Sequence, residues 1–329
     1  MKFVGRGSNP STLSGSAGLR SGNKFVLNFQ FMSQTRVVII GAGEIGGAIE
    51  FLMRESGCET QKWDADPAKV PGQKPLEGLV PKAQAVFFCV PSWVLRDAIS
   101  SIQPLLKPRI IIFFLSKGIA QDGKTVPELA EEMLHGRPFA LLSGPMLAEE
   151  IIKGLGGVAL AASTSARVRR FTAGLFAGSS LRIETSSDVK GTAFAAVLKN
   201  IYSIGLGIAD GLGWGANKKG WLAEQAILEM QKVLPILGGK AKSVFSPAGV
   251  ADFIATGFSQ YSSNREIGDA LVRTGVNGKK SEGYVSLPRL AERLSARIPE
   301  FPLFSLLQRV CEQHEDAKSS FAEFFRKEF

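Results

Sequence analysis

Arg36-Val-Val-Ile-Ile-Gly41-Ala-Gly43-Glu44-Ile45-Gly46-Gly-Ala-Ile-Glu50 is the stretch that decides the fold. The β-branched run at 37–40 predicts a buried parallel strand, and the apolar residues that follow at helical spacing predict a helix. The turn between them has the pattern Gly41-x-Gly43-x-x-Gly46. In a dinucleotide-binding fold these glycines allow a tight turn, the approach of a pyrophosphate, and close packing of helix on strand. The pattern therefore predicts a dinucleotide site, although a plain strand-to-helix turn is the alternative.

A second predicted strand, residues 59–63, ends at Asp64. This position is close to the ~20-residue spacing at which an acidic residue binds the adenine ribose hydroxyls. A carboxylate there repels a 2′-phosphate, so Asp64 favours NAD over NADP as the cofactor. The alternative is a turn aspartate in the run Asp64-Ala-Asp66-Pro67.

Composition points to a soluble globular protein. The chain has 329 residues, 45% of them apolar and 21% charged, which is enough for two domains. Its net charge of +9 is compatible with a small anionic substrate. Clustered basic runs with interleaved aromatic residues, which nucleic acid would require, are not found. The three cysteines are far apart and lack CxxC spacing, so neither a disulfide framework nor a metal site is expected, and a reducing compartment fits best.

The first 31 residues contain no acidic residue and many serines and glycines. This composition predicts a disordered extension, either an upstream addition before a start at Met32 or a targeting segment. We expect a cytoplasmic protein, with organellar targeting by residues 1–31 as the alternative.

Strands and helices alternate in the first half of the chain. Predicted strands at 85–90, 110–115, 139–142, 158–162 and 181–185 follow the first two, with helices between most of them and a loop at 66–82. The expected fold is α/β, with a Rossmann-type doubly wound parallel sheet at 32–186 that binds NAD. No convincing strand follows, so residues 187–329 are expected to form an all-α substrate-binding domain.

The first helix of this second part, predicted at 191–209, is almost wholly apolar and carries one charged residue, Lys199. A membrane span would place this lysine near the bilayer centre at ~2.5 to 3.5 kcal/mol, so a buried core helix is favoured. Burial lowers the pKa of a lysine, which makes it a usable proton donor and acceptor near neutral pH. The alternative is a lysine that snorkels from a helix edge.

Seven short motifs occur in a characteristic order. They are Gly41-Ala-Gly43, Val90-Pro-Ser92, Ser116-Lys-Gly118, Leu142-Ser-Gly-Pro145, Ala148-Glu-Glu150, Leu198-Lys-Asn200 and Gly249-Val-Ala-Asp252. With these motifs the chain resembles NAD(P)-dependent glycerol-3-phosphate dehydrogenase, an enzyme of glycerophospholipid metabolism, over roughly residues 34–310. The resemblance implies reversible hydride transfer between a nicotinamide and C2 of dihydroxyacetone phosphate.

The resemblance also assigns roles to residues. It implies that Lys199 is the catalytic acid/base, assisted by Asp252 and Lys117. The implied substrate contacts are Lys117, Gly144, Lys199, Asn200, Asp252, Ser262, Ser263, Asn264 and Arg265. The cofactor contacts expected from the turn and from the resemblance are Gly41, Gly43, Glu44, Ile45, Gly46, Asp64, Pro91, Lys117, Ala148 and Glu282.

Two departures from the family pattern lie in the substrate pocket. Ser263 stands where the family has an arginine that binds the substrate phosphate, and Met146 replaces a polar serine. Loss of the arginine contact is expected to cost about 1.5 to 3 kcal/mol of binding. The alternatives are therefore the same chemistry on another small 2-keto or 2-hydroxy substrate, or a non-catalytic NAD-binding paralogue. A homodimer is possible, and no nucleic acid or membrane partner is expected.

Overall fold

The structure is a computed structural model that describes residues 35–275 and 278–327. The predicted extension at 1–31 lies outside these described residues.

A seven-stranded sheet forms the first half of the described chain. Its strands are β1 (Arg36–Ile40), β2 (Glu59–Trp63), β3 (Ala85–Phe88), β4 (Ile111–Phe114), β5 (Phe139–Ser143), β6 (Gly157–Ala162) and β7 (Leu181–Ser186), in the order β2-β1-β3-β4-β5-β6-β7. All seven were predicted. The parallel sheet is confirmed from β2 to β5, whereas β6 pairs antiparallel with β5 and β7 runs parallel to β6. The sheet is therefore mostly parallel, with its last two strands reversed.

Six helices accompany the strands. They are α1 (Glu44–Glu55), α2 (Leu76–Leu79), α3 (Leu95–Ile102), α4 (Val126–Met133), α5 (Ala148–Ile152) and α6 (Ala166–Leu175). Alternate residues of β1 enter different hydrophobic clusters: Val37 and Ile39 pack on one face of the sheet, and Val38 and Ile40 on the other. Strands buried on both faces explain why their sequences are continuous apolar runs.

The loop expected at 66–82 is wrong in part, because it contains α2. Leu76, Leu79 and Val80 are buried in the same cluster as Val38 and Ile40. Burial of these side chains outweighs the Pro- and Gly-rich composition that suggested a loop.

Every regular element described after β7 is helical. The α-helices among them are α7 (Val189–Gly211), α8 (Ala216–Ile236), α9 (Asp252–Phe258), α10 (Ser263–Thr274), α11 (Glu282–Leu294), α12 (Pro302–Glu312) and α13 (Ala317–Lys327). Helix α7 is long and apolar enough to cross a membrane, but its most apolar window is 100% buried inside the protein. The predicted core helix is therefore confirmed. Val189 and Ala193 at its start pack in a cluster of the sheet, so α7 joins the two parts of the chain.

Candidate active site

A cleft of about 430 Å³ lies between the sheet and the helices that surround α7. Most of the predicted site residues line it: Gly43, Glu44, Ile45, Pro91, Lys117, Ala148, Lys199, Asn200, Asp252, Ser262, Ser263, Asn264 and Glu282. Residues predicted for the cofactor and residues predicted for the substrate thus border one cavity.

Five predicted residues do not line this cleft. Gly41 and Gly46 form the turn beneath it, and Asp64 lies behind that turn. Gly144 presents its carbonyl to Lys117 Nζ at 3.0 Å. Arg265 points to a neighbouring cavity, where its guanidinium pairs with Asp210 and donates to the Ser259 carbonyl.

The glycine turn has the shape that a pyrophosphate needs. Gly41 has φ +101°, and a Cβ there would lie 2.5 Å from the Cys89 carbonyl oxygen. A Cβ on Gly46 would lie 2.0 Å from the Gly41 carbonyl oxygen, whereas a Cβ on Gly43 would meet no atom of the described residues within 4 Å. In the described part of the chain, no side chain caps the N-terminus of α1, so its first N–H groups are open to an anion. The residues present therefore fit a dinucleotide.

Asp64 is tied to the turn from behind. It is 8% exposed, its Oδ2 accepts the Ala42 N–H at 2.8 Å, and its Oδ1 accepts the Asp66 N–H at 2.9 Å. Burial opposes ionisation of the carboxyl group, but these two bonds and Lys69 hold the pKa of Asp64 below its usual range. The carboxylate therefore fixes the backbone between Gly41 and Gly43.

Lys199 reaches the cleft from the middle of α7. It is 4% exposed, and its Nζ lies 2.8 Å from Thr256 Oγ1 and 3.3 Å from Asp252 Oδ2. Burial lowers the pKa of Lys199 to about 8, and the nearby carboxylate of Asp252 opposes that shift. The ammonium can therefore exchange a proton near neutral pH.

Asp252, at the start of α9, is shared by two lysines. Its Oδ2 accepts Lys117 Nζ at 2.7 Å as well as contacting Lys199 Nζ. Lys117 follows β4, so this carboxylate joins the sheet to α7 and α9. Because Asp252 is 2% exposed, the two ammonium groups partly repay the cost of burying its charge.

A chain of amide contacts borders the cleft next to Lys199 and Lys117. Asn200 Nδ2 donates to the Lys117 carbonyl at 2.9 Å, and Asn264 Nδ2 donates to Asn200 Oδ1 at 2.9 Å. Asn264 Oδ1 in turn accepts the Gly283 N–H at 2.9 Å. These bonds link the end of β4, α7, α10 and α11, so both asparagines have a positioning role in addition to any contact with a ligand.

Glu282 begins α11 and bonds to the segment after β3. Its carboxylate accepts the Ser92 N–H at 2.8 Å and the Ser92 hydroxyl at 2.6 Å. Burial raises the pKa of Glu282, although the bonds from Ser92 oppose the shift. A Cβ on Gly118 would lie 1.9 Å from Glu282 Oε2, so the motif glycine makes room for this carboxylate.

The two departures from the family pattern both line the cleft. Ser263 is the first residue of α10, and Met146 is 7% exposed and belongs to a hydrophobic cluster of the sheet. Arg265 is held by Asp210 and does not line the cleft.

The polar residues of the site that sequence reasoning missed include Thr256, Ser92 as the partner of Glu282, and Lys280. Thr256 follows Asp252 by four residues on α9, and this spacing places both on one helix face. That spacing was a usable signal. Lys280 lines the cleft from a segment without regular structure, where the sequence carries no comparable signal.

Comparison with known families agrees with this geometry. The family model for the NAD-dependent glycerol-3-phosphate dehydrogenase N-terminus matches residues 66–168. The model for the C-terminus of the same family matches residues 188–322. The two matches together cover most of the chain and lie on either side of the junction between β7 and α7.

Similar proteins and structures were found over most of the length. Glycerol-3-phosphate dehydrogenase [NAD(P)+] of Aeromonas salmonicida is 29% identical over 87% of this chain and 96% of its own. That of Clostridium acetobutylicum is 25% identical over 89% and 97%. Solved structures of glycerol-3-phosphate dehydrogenase share the fold: the crystal structure from Coxiella burnetii has a TM-score of 0.81 at 24% identity and covers 89% of this chain and 99% of its own. The yeast structure has a TM-score of 0.73 at 19% identity, with 88% and 99% covered. The chain therefore belongs to the NAD-dependent glycerol-3-phosphate dehydrogenase family, and it is an oxidoreductase whose cofactor is NAD(P).

Proposed function

We propose that this protein interconverts dihydroxyacetone phosphate and glycerol 3-phosphate with NAD, and that Lys199 is the acid/base. The observation that carries the proposal is the position of the Lys199 ammonium, which is buried in the cleft bordered by the glycine turn. A buried lysine on an apolar helix costs stability, and acid/base work accounts for its presence.

Lys199 changes charge in each direction of the reaction. In the reduction its ammonium donates a proton to the carbonyl oxygen of the substrate, while C2 gains a hydride and the lysine becomes neutral. In the oxidation the neutral amine takes the hydroxyl proton. A pKa of about 8 leaves both forms populated near neutral pH.

The cofactor would lie along the glycine turn. The open backbone at Gly43 and the first N–H groups of α1 would hold its pyrophosphate, with Glu44 and Ile45 beside it. The nicotinamide supplies or accepts the hydride when the cofactor is bound. Asp64 favours NAD by its negative charge next to the turn, and Glu282 is proposed to contact the nicotinamide ribose.

The remaining polar groups hold the substrate and the lysine. Asp252 and Thr256 hold the Lys199 ammonium in one position at the cleft. The lysine side chain is therefore already oriented before the substrate binds. Lys117 carries a positive charge on the same wall, and Asn200 and Asn264 offer amide groups to the substrate hydroxyls.

The test is turnover of NADH with dihydroxyacetone phosphate, followed by its absorbance. Lys199→Ala is expected to lower kcat by about 10²- to 10⁴-fold, the usual contribution of a positioned acid/base. Lys190→Ala removes an exposed lysine from the same helix and should leave kcat unchanged. NADH affinity should be equal in the three proteins, which separates loss of the proton donor from loss of the fold. Absence of turnover by the wild type at millimolar substrate rejects the proposed reaction.

A second candidate is favoured by Met146 and Ser263. The apolar side chain of Met146 and the short hydroxyl of Ser263 line the cleft where the family is expected to have a serine and an arginine. A wall of this kind suits a small 2-keto acid that carries no phosphate group. The same NADH absorbance assay, run with a panel of small 2-keto acids beside dihydroxyacetone phosphate, decides, because this candidate predicts a higher kcat/KM for a 2-keto acid than for dihydroxyacetone phosphate.

A further inference from the structure

Two contacts tie the residues around the start of α11 to the first turn of α10. Gly283 N–H donates to Asn264 Oδ1 at 2.9 Å, and Lys279 forms an ion pair with Glu266. Lys280 lies between these two anchors. The segment before α11 is therefore held against the turn that begins with Ser263.

Neighbouring lysines of this segment have different positions. Lys279 reaches the outer side of α10, where Glu266 is more than half exposed. Lys280 instead lines the cleft, together with Ser263 and Lys199. The anchors on either side thus place a positive charge at the cleft wall that Ser263 also forms.

Lys280 differs from the other two lysines of the cleft in its electrostatic surroundings. Lys117 and Lys199 both contact Asp252, so part of their charge is neutralised. Among residues 35–275 and 278–327, no carboxylate forms an ion pair with Lys280, and its side chain is exposed. An anionic ligand in the cleft can therefore interact with the Lys280 ammonium without competition from a carboxylate of the described residues.

We propose that Lys280 binds the phosphate group of the substrate together with the Ser263 hydroxyl, and so takes over the task of the arginine that is missing at position 263. This inference rests on the proposed function. An ammonium is a point charge without the fork of a guanidinium, so it attracts a phosphate with less geometric selectivity. The positive charge would thus come from the segment that adjoins α10 and not from position 263 of α10 itself. The short side chain of Ser263 leaves room for it.

The test compares a substrate with and without the phosphate. Lys280→Ala should raise KM for dihydroxyacetone phosphate by about 10- to 100-fold, the range expected for loss of a charge-assisted contact. Turnover of dihydroxyacetone, which has no phosphate, and the Kd for NADH should stay at their wild-type values. Lys280→Arg should keep KM low, and Ser263→Arg added to Lys280→Ala should restore it. Lys242→Ala, which removes an exposed lysine outside the cleft, is the charge-matched control.

Three outcomes overturn the assignment. If Lys280→Ala leaves KM for dihydroxyacetone phosphate unchanged while the wild type is active, Lys280 does not bind the phosphate and the proposed function still stands. If the Kd for NADH rises by the same factor as KM, Lys280 contacts the cofactor. If the wild type does not reduce dihydroxyacetone phosphate, the proposed function itself is wrong and the Lys280 assignment falls with it.

Discussion

The Nζ atom of Lys199 lies 2.8 Å from the hydroxyl oxygen of Thr256. That hydroxyl donates its own proton to Asp252 Oδ1 at 3.1 Å, so a lone pair of its oxygen is directed at the ammonium. A threonine that the sequence did not single out therefore orients the proposed acid/base and stabilises its charged form.

Replacing Thr256 tests this arrangement. Thr256→Val keeps the shape of the side chain but removes the acceptor, so the charged form of Lys199 loses one hydrogen bond and its pKa falls further below the ordinary value. The pH at which the reduction rate is halved should move to lower values by about one unit, since a unit corresponds to ~1.4 kcal/mol, a typical hydrogen-bond energy. Thr256→Ser keeps the hydroxyl and should retain the wild-type profile. An unchanged midpoint in the valine variant would show that Thr256 only fills space.

The two directions of the reaction should respond oppositely to pH. Lys199 must be protonated for the reduction and neutral for the oxidation, and burial lowers its pKa to about 8. We expect kcat/KM for the reduction to fall as pH rises through about 8, and kcat/KM for the oxidation to rise over the same interval. Initial rates between pH 6 and 10 measure both. Two parallel profiles would contradict acid/base work by a single lysine.

The seven strands could be predicted from the sequence because the apolar runs that favour a strand locally are also the residues that the folded sheet buries. β-branched and aromatic runs such as residues 110–115 are buried on both faces of the sheet. Their sequences are therefore continuously apolar, which is the pattern expected of a buried parallel strand. Helix α2 was missed for the converse reason: its formation depends on Leu76 and Leu79 packing on a sheet that is distant in sequence. Reversal of β6 and β7 was likewise invisible, because strand direction leaves no trace in composition.

The site was predictable where a residue conflicts with its surroundings. Lys199 was found because it is the only charge within the apolar run 191–209, and Gly41 because its turn has a recognisable spacing. The direction of Arg265 was not predictable, since it depends on Asp210 at the far end of α7. Lys280 was missed for a similar reason: its place in the cleft depends on the bond between Gly283 and Asn264.

Asp64 combines two roles that substitutions can separate. Its carboxylate holds the Ala42 N–H of the glycine turn, and its charge is proposed to disfavour NADP. Asp64→Ala removes both, so affinity for NADH should fall by about 10-fold through the loosened turn. Asp64→Asn can still accept the Ala42 N–H with its carbonyl oxygen, but it lacks the charge and the second oxygen that accepts the Asp66 N–H. In this variant we expect the ratio of NADPH to NADH affinity to rise with little loss of NADH binding.

Fluorescence titration of both cofactors measures these ratios without turnover. Asp66→Asn is a suitable control, because Asp66 lies two residues away and its side chain accepts the Ala68 N–H rather than an N–H of the glycine turn. If Asp64→Asn leaves the ratio unchanged, Asp64 is a turn residue and does not select the cofactor.

Glu229, on α8, is a buried carboxyl group outside the proposed chemistry. It is 6% exposed, and it accepts the Leu303 N–H at 2.6 Å, the Phe304 N–H at 2.9 Å and the Tyr202 hydroxyl at 2.8 Å. It therefore satisfies two of the free N–H groups at the N-terminus of α12. Burial nevertheless raises the pKa of Glu229 to about 7 from the ordinary 4.5.

This shift makes stability depend on pH in a defined direction. Between pH 4.5 and about 7 the unfolded chain has released the Glu229 proton while the folded protein still binds it. Raising the pH through this interval therefore lowers the free energy of unfolding, by about 3 kcal/mol if the full shift is realised. Glu229→Gln cannot titrate and should lack this decline, whereas Glu224→Gln, an exposed carboxylate on the same helix, should retain it. Urea unfolding at pH 5 and pH 7.5 measures the difference. An equal decline in wild type and Glu229→Gln would mean that the carboxylate is already ionised in the folded protein, where the α12 N–H groups outweigh its burial.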